Sequence, residues 1–151
     1  MEFIYNFEDL KYIIKNTFDN LNIQIMGNIH FCESIQLEDF ERTINIDGNK
    51  FTFSSESENM FELNFKNNDI TFERIHFFRF SNNLFLIKNG KLRMNGCIVN
   101  NNNKNCVNYI DIHNTDEFRL KNCKFFANNL TNISIKNDFE NVITENCDFI
   151  K

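Results

Sequence analysis

At 151 residues and 18.1 kDa the chain is sized for a single domain, 1–151, able to bury roughly two-thirds of the surface its unfolded form exposes. A formal charge of -5 and a pI near 5.2 argue against wholesale coating of nucleic acid, while leaving room for a local basic stripe. Five Cys without a C-x-x-C pair, beside only three His, fit neither a zinc-finger spacing nor a secreted disulfide framework, and point to free thiols in a reducing compartment.

The opening stretch, MEFIYNFEDLKYIIKN, carries acidic residues early and lacks the basic region, apolar run and small-residue cleavage site of a signal peptide. No apolar run is long enough to cross a bilayer, so a cytoplasmic chain that makes no membrane contact is expected. Next, FEDLKYIIKNTFDN sets Phe7, Leu10, Ile13, Ile14 and Phe18 at helical spacing, which predicts an α-helix within residues 1–20.

Strands follow over 21–151. NIQIMGNIHF supplies Ile23/Ile25 and Ile29/Phe31, and SIQLEDFERTINIDGNKFTF supplies Ile35/Leu37, Ile44/Ile46 and Phe51/Phe53. From there three tracks of apolar pairs recur together. The first holds Leu63/Phe65, Phe85/Ile87, Ile110/Ile112 and Ile133/Ile135. The second holds Ile70/Phe72, Leu92/Met94, Phe118/Leu120 and Val142/Thr144; the third holds Ile75/Phe77, Cys97/Val99, Cys123/Phe125 and Cys147/Phe149. Each pair has the alternation of a half-buried strand. Between the second and third tracks sit Arg74, Gly96, Asn122 and Asn146, where a sharp bend favours Gly or Asn because these tolerate left-handed backbone angles; Arg74 fits poorly.

Three short strands per repeat cannot bury their apolar sides alone, but stacking the repeats at about 4.8 Å builds a continuous interior. That geometry is a parallel β-helix. Inward positions of one track then become ladders, with Cys97, Cys123 and Cys147 as small apolar fillers. The predicted helix covers the open edge of the first coil, which would otherwise invite pairing with another chain. After CDFIK no amphipathic segment remains to cover the last coil, so self-association through that end is expected.

The stretch RLKNCKF, residues 119–125, resembles the repeats of the right-handed parallel β-helix superfamily, the pectate-lyase-like fold, which often carry an apolar-x-apolar-x-Asn-Cys-x-Phe pattern. The resemblance covers roughly residues 20–151. The expected fold is all-β: a right-handed parallel β-helix solenoid of about four full coils plus a partial first coil, with an N-terminal α-helical cap.

Asn makes up about a fifth of the chain, in part an A/T-rich coding bias, yet Asn67, Asn89, Asn114 and Asn137 fall in register after the first track and predict a structural amide ladder. Just before them, Lys66, Lys88, His113 and Lys136 predict an outward cationic column suited to a polyanion. Arg93, Arg119, Lys121 and Lys124 predict a second basic group on two adjacent coils.

Catalytic patterns are incomplete. Asn114, Thr115 and Asp116 match the Asn-Thr-Asp triplet of polygalacturonases, but the Asp-Asp pair, the Gly-His-Gly and the Arg-x-Lys motif are missing. Asp111, Glu73 and Glu145 do not gather into a calcium cluster. Cys106, in the loop NNNNKNCVN, is the one thiol outside the coils with a plausible reactive setting. No catalytic residue, metal or cofactor is assigned. The expectation is a recognition module without catalysis that binds a protein partner, in its specific form a small phage or viral inhibitor of a host defence or nucleic-acid-processing protein. The resemblance implies an alternative, binding or processing of acidic polysaccharide, and a third possibility is a fibre or spike unit.

Overall fold

The computed structural model describes residues 1–37, 41–64, 66–80, 83–100, 110–126 and 142–150, and the backbone of 133–135. Strand β1 (Glu2–Ile4) precedes helix α1 (Phe7–Asn16), after which the chain winds in turns of three strands. The first turn is β2 (Leu21–Ile25), β3 (Ile29–Phe31) and β4 (Ile35–Leu37); the second is β5 (Arg42–Asp47), β6 (Thr52–Ser55) and β7 (Asn59–Leu63). The third is β8 (Asn68–Glu73), β9 (His76–Phe80) and β10 (Asn83–Ile87); the fourth is β11 (Lys91–Asn95), β12 (Ile98–Asn100) and β13 (Ile110–Ile112). The fifth is β14 (Glu117–Lys121), β15 (Lys124–Phe126) and β16 (Ile133–Ile135), followed by β17 (Val142–Glu145) and β18 (Asp148–Ile150).

Equivalent strands stack in parallel into three sheets. The first sheet runs β1-β2-β5-β8-β11-β14-β17, the second β3-β6-β9-β12-β15-β18 and the third β4-β7-β10-β13-β16. The molecule is therefore an all-β parallel solenoid of about five turns, with, among the described residues, a single short helix at its N-terminal end. Among the described residues no helix is long and apolar enough to cross a membrane.

The interior is built from the inward columns that the alternation marks out. Phe31, Phe53, Phe61, Phe72, Phe77 and Phe85 are fully buried and pack ring against ring, with the Phe61–Phe72 and Phe72–Phe85 centroids both 5.0 Å apart. Each fully buried Phe contributes about 1.5–3 kcal/mol relative to exposure. Polar partners join the coils on the outside: Asn45 donates to Asn22 at 3.1 Å on the first sheet, and Asn146 to Asn122 at 2.7 Å at the corner that follows it.

The bends between the first and second sheets have the expected left-handed backbone: φ is +51° at Arg74, +64° at Gly96, +54° at Asn122 and +52° at Asn146. The amide of each of the first three donates to the next coil, to Asn95, Lys121 and Glu145 respectively. Arg74 occupies this strained site while its guanidinium grips Asp47 of the coil before, with Nε 3.0 Å from Oδ1 and Nη2 on Oδ2.

Three expectations need correction. The helix ends at Asn16, with Thr17 already extended, so Phe18 lies outside it and is exposed. The helical face that covers the first coil is Phe7, Leu10 and Ile14, and the Phe7 ring sits 5.1 Å from Phe31. Residues 2–4 are not part of that cap: Glu2–Ile4 is a strand that extends the first sheet by pairing with β2, Phe3 opposite Gln24.

The third correction is one of register. Phe61 and Leu63 oppose Phe85 and Ile87, where the sequence suggests Leu63 and Phe65. The stretch FELNF offers two apolar pairs with identical alternation, and period two cannot separate them. Bonds to neighbouring coils do: Asn64 N–H donates to Leu37 O at 3.0 Å and Lys88 N–H to Leu63 O at 2.8 Å. Phe65 itself lies outside the described residues.

Candidate functional site

The corrected register divides the expected cationic column. Lys88 and His113 follow each other on neighbouring coils, their amides donating to Leu63 O and Ile87 O, both at 2.8 Å. The residue preceding them in that column is Asn64 and not Lys66. His113 also lies beside a carboxylate, its Nε2 3.3 Å from Asp111 Oδ2. Lys66 instead enters an open groove of about 660 Å³ at the corner leading into the first sheet, together with Arg42, Lys91, Glu41, Asp69 and Asp116. Three cations face three carboxylates there, so the groove has no net charge to draw in a polyanion. Lys136 lies outside the described residues.

The amide ladder shortens for the same reason. Asn114 donates to Asn89 at 2.9 Å, one coil apart. Asn67 has moved with Lys66 to the groove, and Asn137 lies outside the described residues. The neighbouring Thr115 is buried and donates its hydroxyl to Gly90 O at 2.9 Å. The Asn-Thr-Asp triplet thus builds a corner, with only Asp116 turned toward the groove.

The second basic group meets carboxylates. Arg93 lies between Asp69 and Glu117 of the flanking coils, at 2.5 and 3.0 Å, and Arg119 Nε is 3.2 Å from the same Glu117. Lys121 stands in a row between Asn95 and Glu145, and Lys124 between Ile98 and Asp148. The structure brings Arg93 and Arg119 together as register partners but surrounds them with acid. Sequence spacing held that signal too, since Asp69 and Glu117 each lie 24 residues from Arg93.

The cysteine column is interior. Cys97 and Cys123 are buried and Cys147 partly so, and all three are free thiols. Burial pushes the Cys97 thiol well above its ordinary pKa, which keeps it protonated, and its sulfur donates to Phe72 O at 3.5 Å. Cys97 is thus a packing group, while the hydrogen bond with Cys97 outweighs burial at Cys123 and lowers its thiol to about 7. Cys106 and its Asn-rich loop lie outside the described residues. Among the described residues no three His, Cys, Asp or Glu side chains gather as a metal site.

A feature that the sequence did not suggest occupies the outside of the second sheet. One outward row carries Phe78, Asn100, Phe126 and Ile150, and the adjacent row His76, Ile98, Lys124 and Asp148. Ile98 and Ile150 are 38% and 41% exposed, and Phe78 and Phe126 are half-buried beside them. The outer face of the first sheet is mainly Asn, Thr and paired charges between its end strands, where Phe3 and Ile143 are exposed. Upstream on the same sheet, His30 bridges Ser54 and Glu56, residues one coil away.

The fold and these surfaces define a parallel β-solenoid with a polar, charge-balanced side and an apolar strip. Comparison with protein-family models, with curated proteins and with solved structures finds no match.

Proposed function

We propose that this chain is a recognition module that binds another protein through the outer face of its second sheet. The observation that carries the reading is the strip formed by Phe78, Ile98, Phe126 and Ile150, which spans four successive coils on one sheet face. A rigid, flat, partly apolar sheet face suits association with a protein surface, where aromatic and aliphatic anchors supply most of the binding energy. In its specific form the module is a cytoplasmic inhibitor, of phage or viral origin, of a host defence or nucleic-acid-processing protein. The free thiols and acidic composition are consistent with that setting. The Asn-Cys-x-Phe repeat supports kinship with the pectate-lyase-like superfamily.

The test is affinity capture from a low-G+C bacterial lysate by the wild-type chain and by an Ile98→Lys/Ile150→Lys variant, read by mass spectrometry. A stoichiometric protein held by the wild type and lost by the variant supports the reading. Equal capture by both removes this face from it.

A further inference from the structure

On the first two coils of the second sheet, a serine, a histidine and a carboxylate are joined in series. His30 of β3 and Ser54 of β6 are register partners on one outward row. His30 Nδ1 lies 2.8 Å from Ser54 Oγ, and Nε2 lies 2.9 Å from Glu56 Oε1. A carboxylate accepts and cannot donate, so in the neutral ring the proton sits on Nε2 facing Glu56. Nδ1 is then the lone pair that accepts the Ser54 hydroxyl proton, which is the tautomer a general base requires.

A concavity of about 260 Å³ adjoins the pair, lined by His30, Ser54, Asn28, Thr52, Phe78 and Arg79. Its shape comes from an irregularity in the ladder. Register between β6 and β9 shifts between Phe53 and Ser55, so that Phe78 and Arg79 both stand opposite Ser54. Arg79 takes φ +55°, a left-handed conformation costly for a long side chain, and its guanidinium lies 5.2 Å from the Phe78 ring centroid. Bulges of this kind re-aim side chains beside functional sites, and here the re-aimed group is a cation lining the same hollow as the serine.

We propose that Ser54, His30 and Glu56 form a hydrolytic site for small acyl esters, with Arg79 stabilising the developing oxyanion. Ser54 Oγ bonds to the ester carbonyl carbon as its proton passes to His30 Nδ1. The carbon–oxygen bond to the alcohol then breaks, and the alcohol departs with that proton. Water adds to the acyl-serine carbon, giving a proton to Nδ1; Ser54 Oγ leaves and takes it back. The net reaction is ester plus water to carboxylic acid plus alcohol. Glu56 is a positioning residue that holds the ring in its Nε2–H form. The hollow is sized for an acyl group of a few carbons. This activity goes beyond the recognition reading and stands independently of it.

The test uses the full chain with p-nitrophenyl acetate and, separately, with a fluorophosphonate probe mapped by peptide mass. The expected result is one phosphonyl adduct, on Ser54, and p-nitrophenol release above buffer. Ser54→Ala loses the adduct and falls to background, and His30→Ala lowers kcat about 10²–10⁴-fold and flattens the pH profile. Glu56→Gln lowers kcat at unchanged KM, and Glu56→Asp recovers part of it. Thermal unfolding of each variant confirms the fold. The absence of an adduct on Ser54, or release by Ser54→Ala equal to wild type, overturns the proposal.

Discussion

Glycine is present at the corner between the first and second sheets in three coils, and the same substitution should have three different consequences there. A Cβ on Gly48 would lie 2.2 Å from Ile75 Cγ1, 2.7 Å from Arg74 O and 2.9 Å from Ile75 Cα. The first contact can be relieved by rotating a side chain, but the other two are backbone. Restoring ordinary separation means parting two coils by roughly 0.5–0.7 Å where they are joined by Gly48 N–H to Glu73 O and Lys50 N–H to Arg74 O, at 2.7 and 2.8 Å. Overpacking of this sort costs about 1–3 kcal/mol, and weakening two hydrogen bonds adds about 1 kcal/mol each. Alanine's reduced freedom in the unfolded chain returns about 0.4–1 kcal/mol. Gly48→Ala should therefore lose about 2–4 kcal/mol, which in a chain of this length lowers Tm by about 5–15 °C. Gly96 has open space, its nearest contact being Arg74 Cγ at 3.9 Å, but φ is +64°, so Gly96→Ala should cost about 1–2 kcal/mol. At Gly27 the nearest atom is Tyr5 O at 3.3 Å, and Gly27→Ala should stay within about 1 kcal/mol of wild type. Thermal melts followed by circular dichroism, with urea titrations to check the slope, give the ranking. A Gly48→Ala midpoint within 2 °C of wild type would refute this account of how the coils touch.

Burial pushes the Asp47 carboxyl up, but hydrogen bonds from Arg74 and the Asn49 amide, with the Arg74 charge, outweigh it and hold the pKa below the usual value. A depressed folded-state pKa contributes stability above the unfolded carboxylate range, near 3.9, and loses it as pH falls through the folded value. Arg74→Gln should thus melt below wild type at pH 6, with the gap narrowing as pH falls below the ordinary carboxylate range; a gap independent of pH would count against the pairing. In a thiol-labelling experiment Cys32, exposed, should react at once, and Cys97, buried with its pKa raised, only on unfolding.

The coil period and the bends were legible because they rest on local chemistry repeated many times. Gly96, Asn122 and Asn146 each announce a left-handed backbone, and the column they define carries Arg74 with it. The third sheet was harder. In FELNF every second residue is apolar, and only interstrand bonding separates Phe61/Leu63 from Leu63/Phe65. That two-residue slip displaced Lys66 and Asn67 into columns they do not occupy. The charge balance around Arg93 was hidden differently, because Asp69 and Glu117 neighbour it diagonally, two positions earlier on each flanking coil. Strand β1 gave no signal in three residues beside a helix. His30, Ser54 and Glu56 stayed unseen because their proximity depends on pairing the first two coils, where the repeat is least regular.

From Phe72 to Ile75, Met94 to Cys97, Leu120 to Cys123 and Thr144 to Cys147 the chain advances by the same count, through a left-handed residue each time. Every other passage between sheets varies in length. From the third coil onward this edge therefore acts as a spine of fixed pitch, although in the second coil the same passage is two residues longer, and the remaining edges can take up insertions without disturbing the stack. A foreign peptide grafted at residues 88–90, beyond the third sheet, should cost the local bonds to Leu63, Asn114 and Thr115 but leave the coils in register. The same graft at Gly96 would break the run of identical corners and the Gly96 N–H bond to Lys121 O that joins its coil to the next.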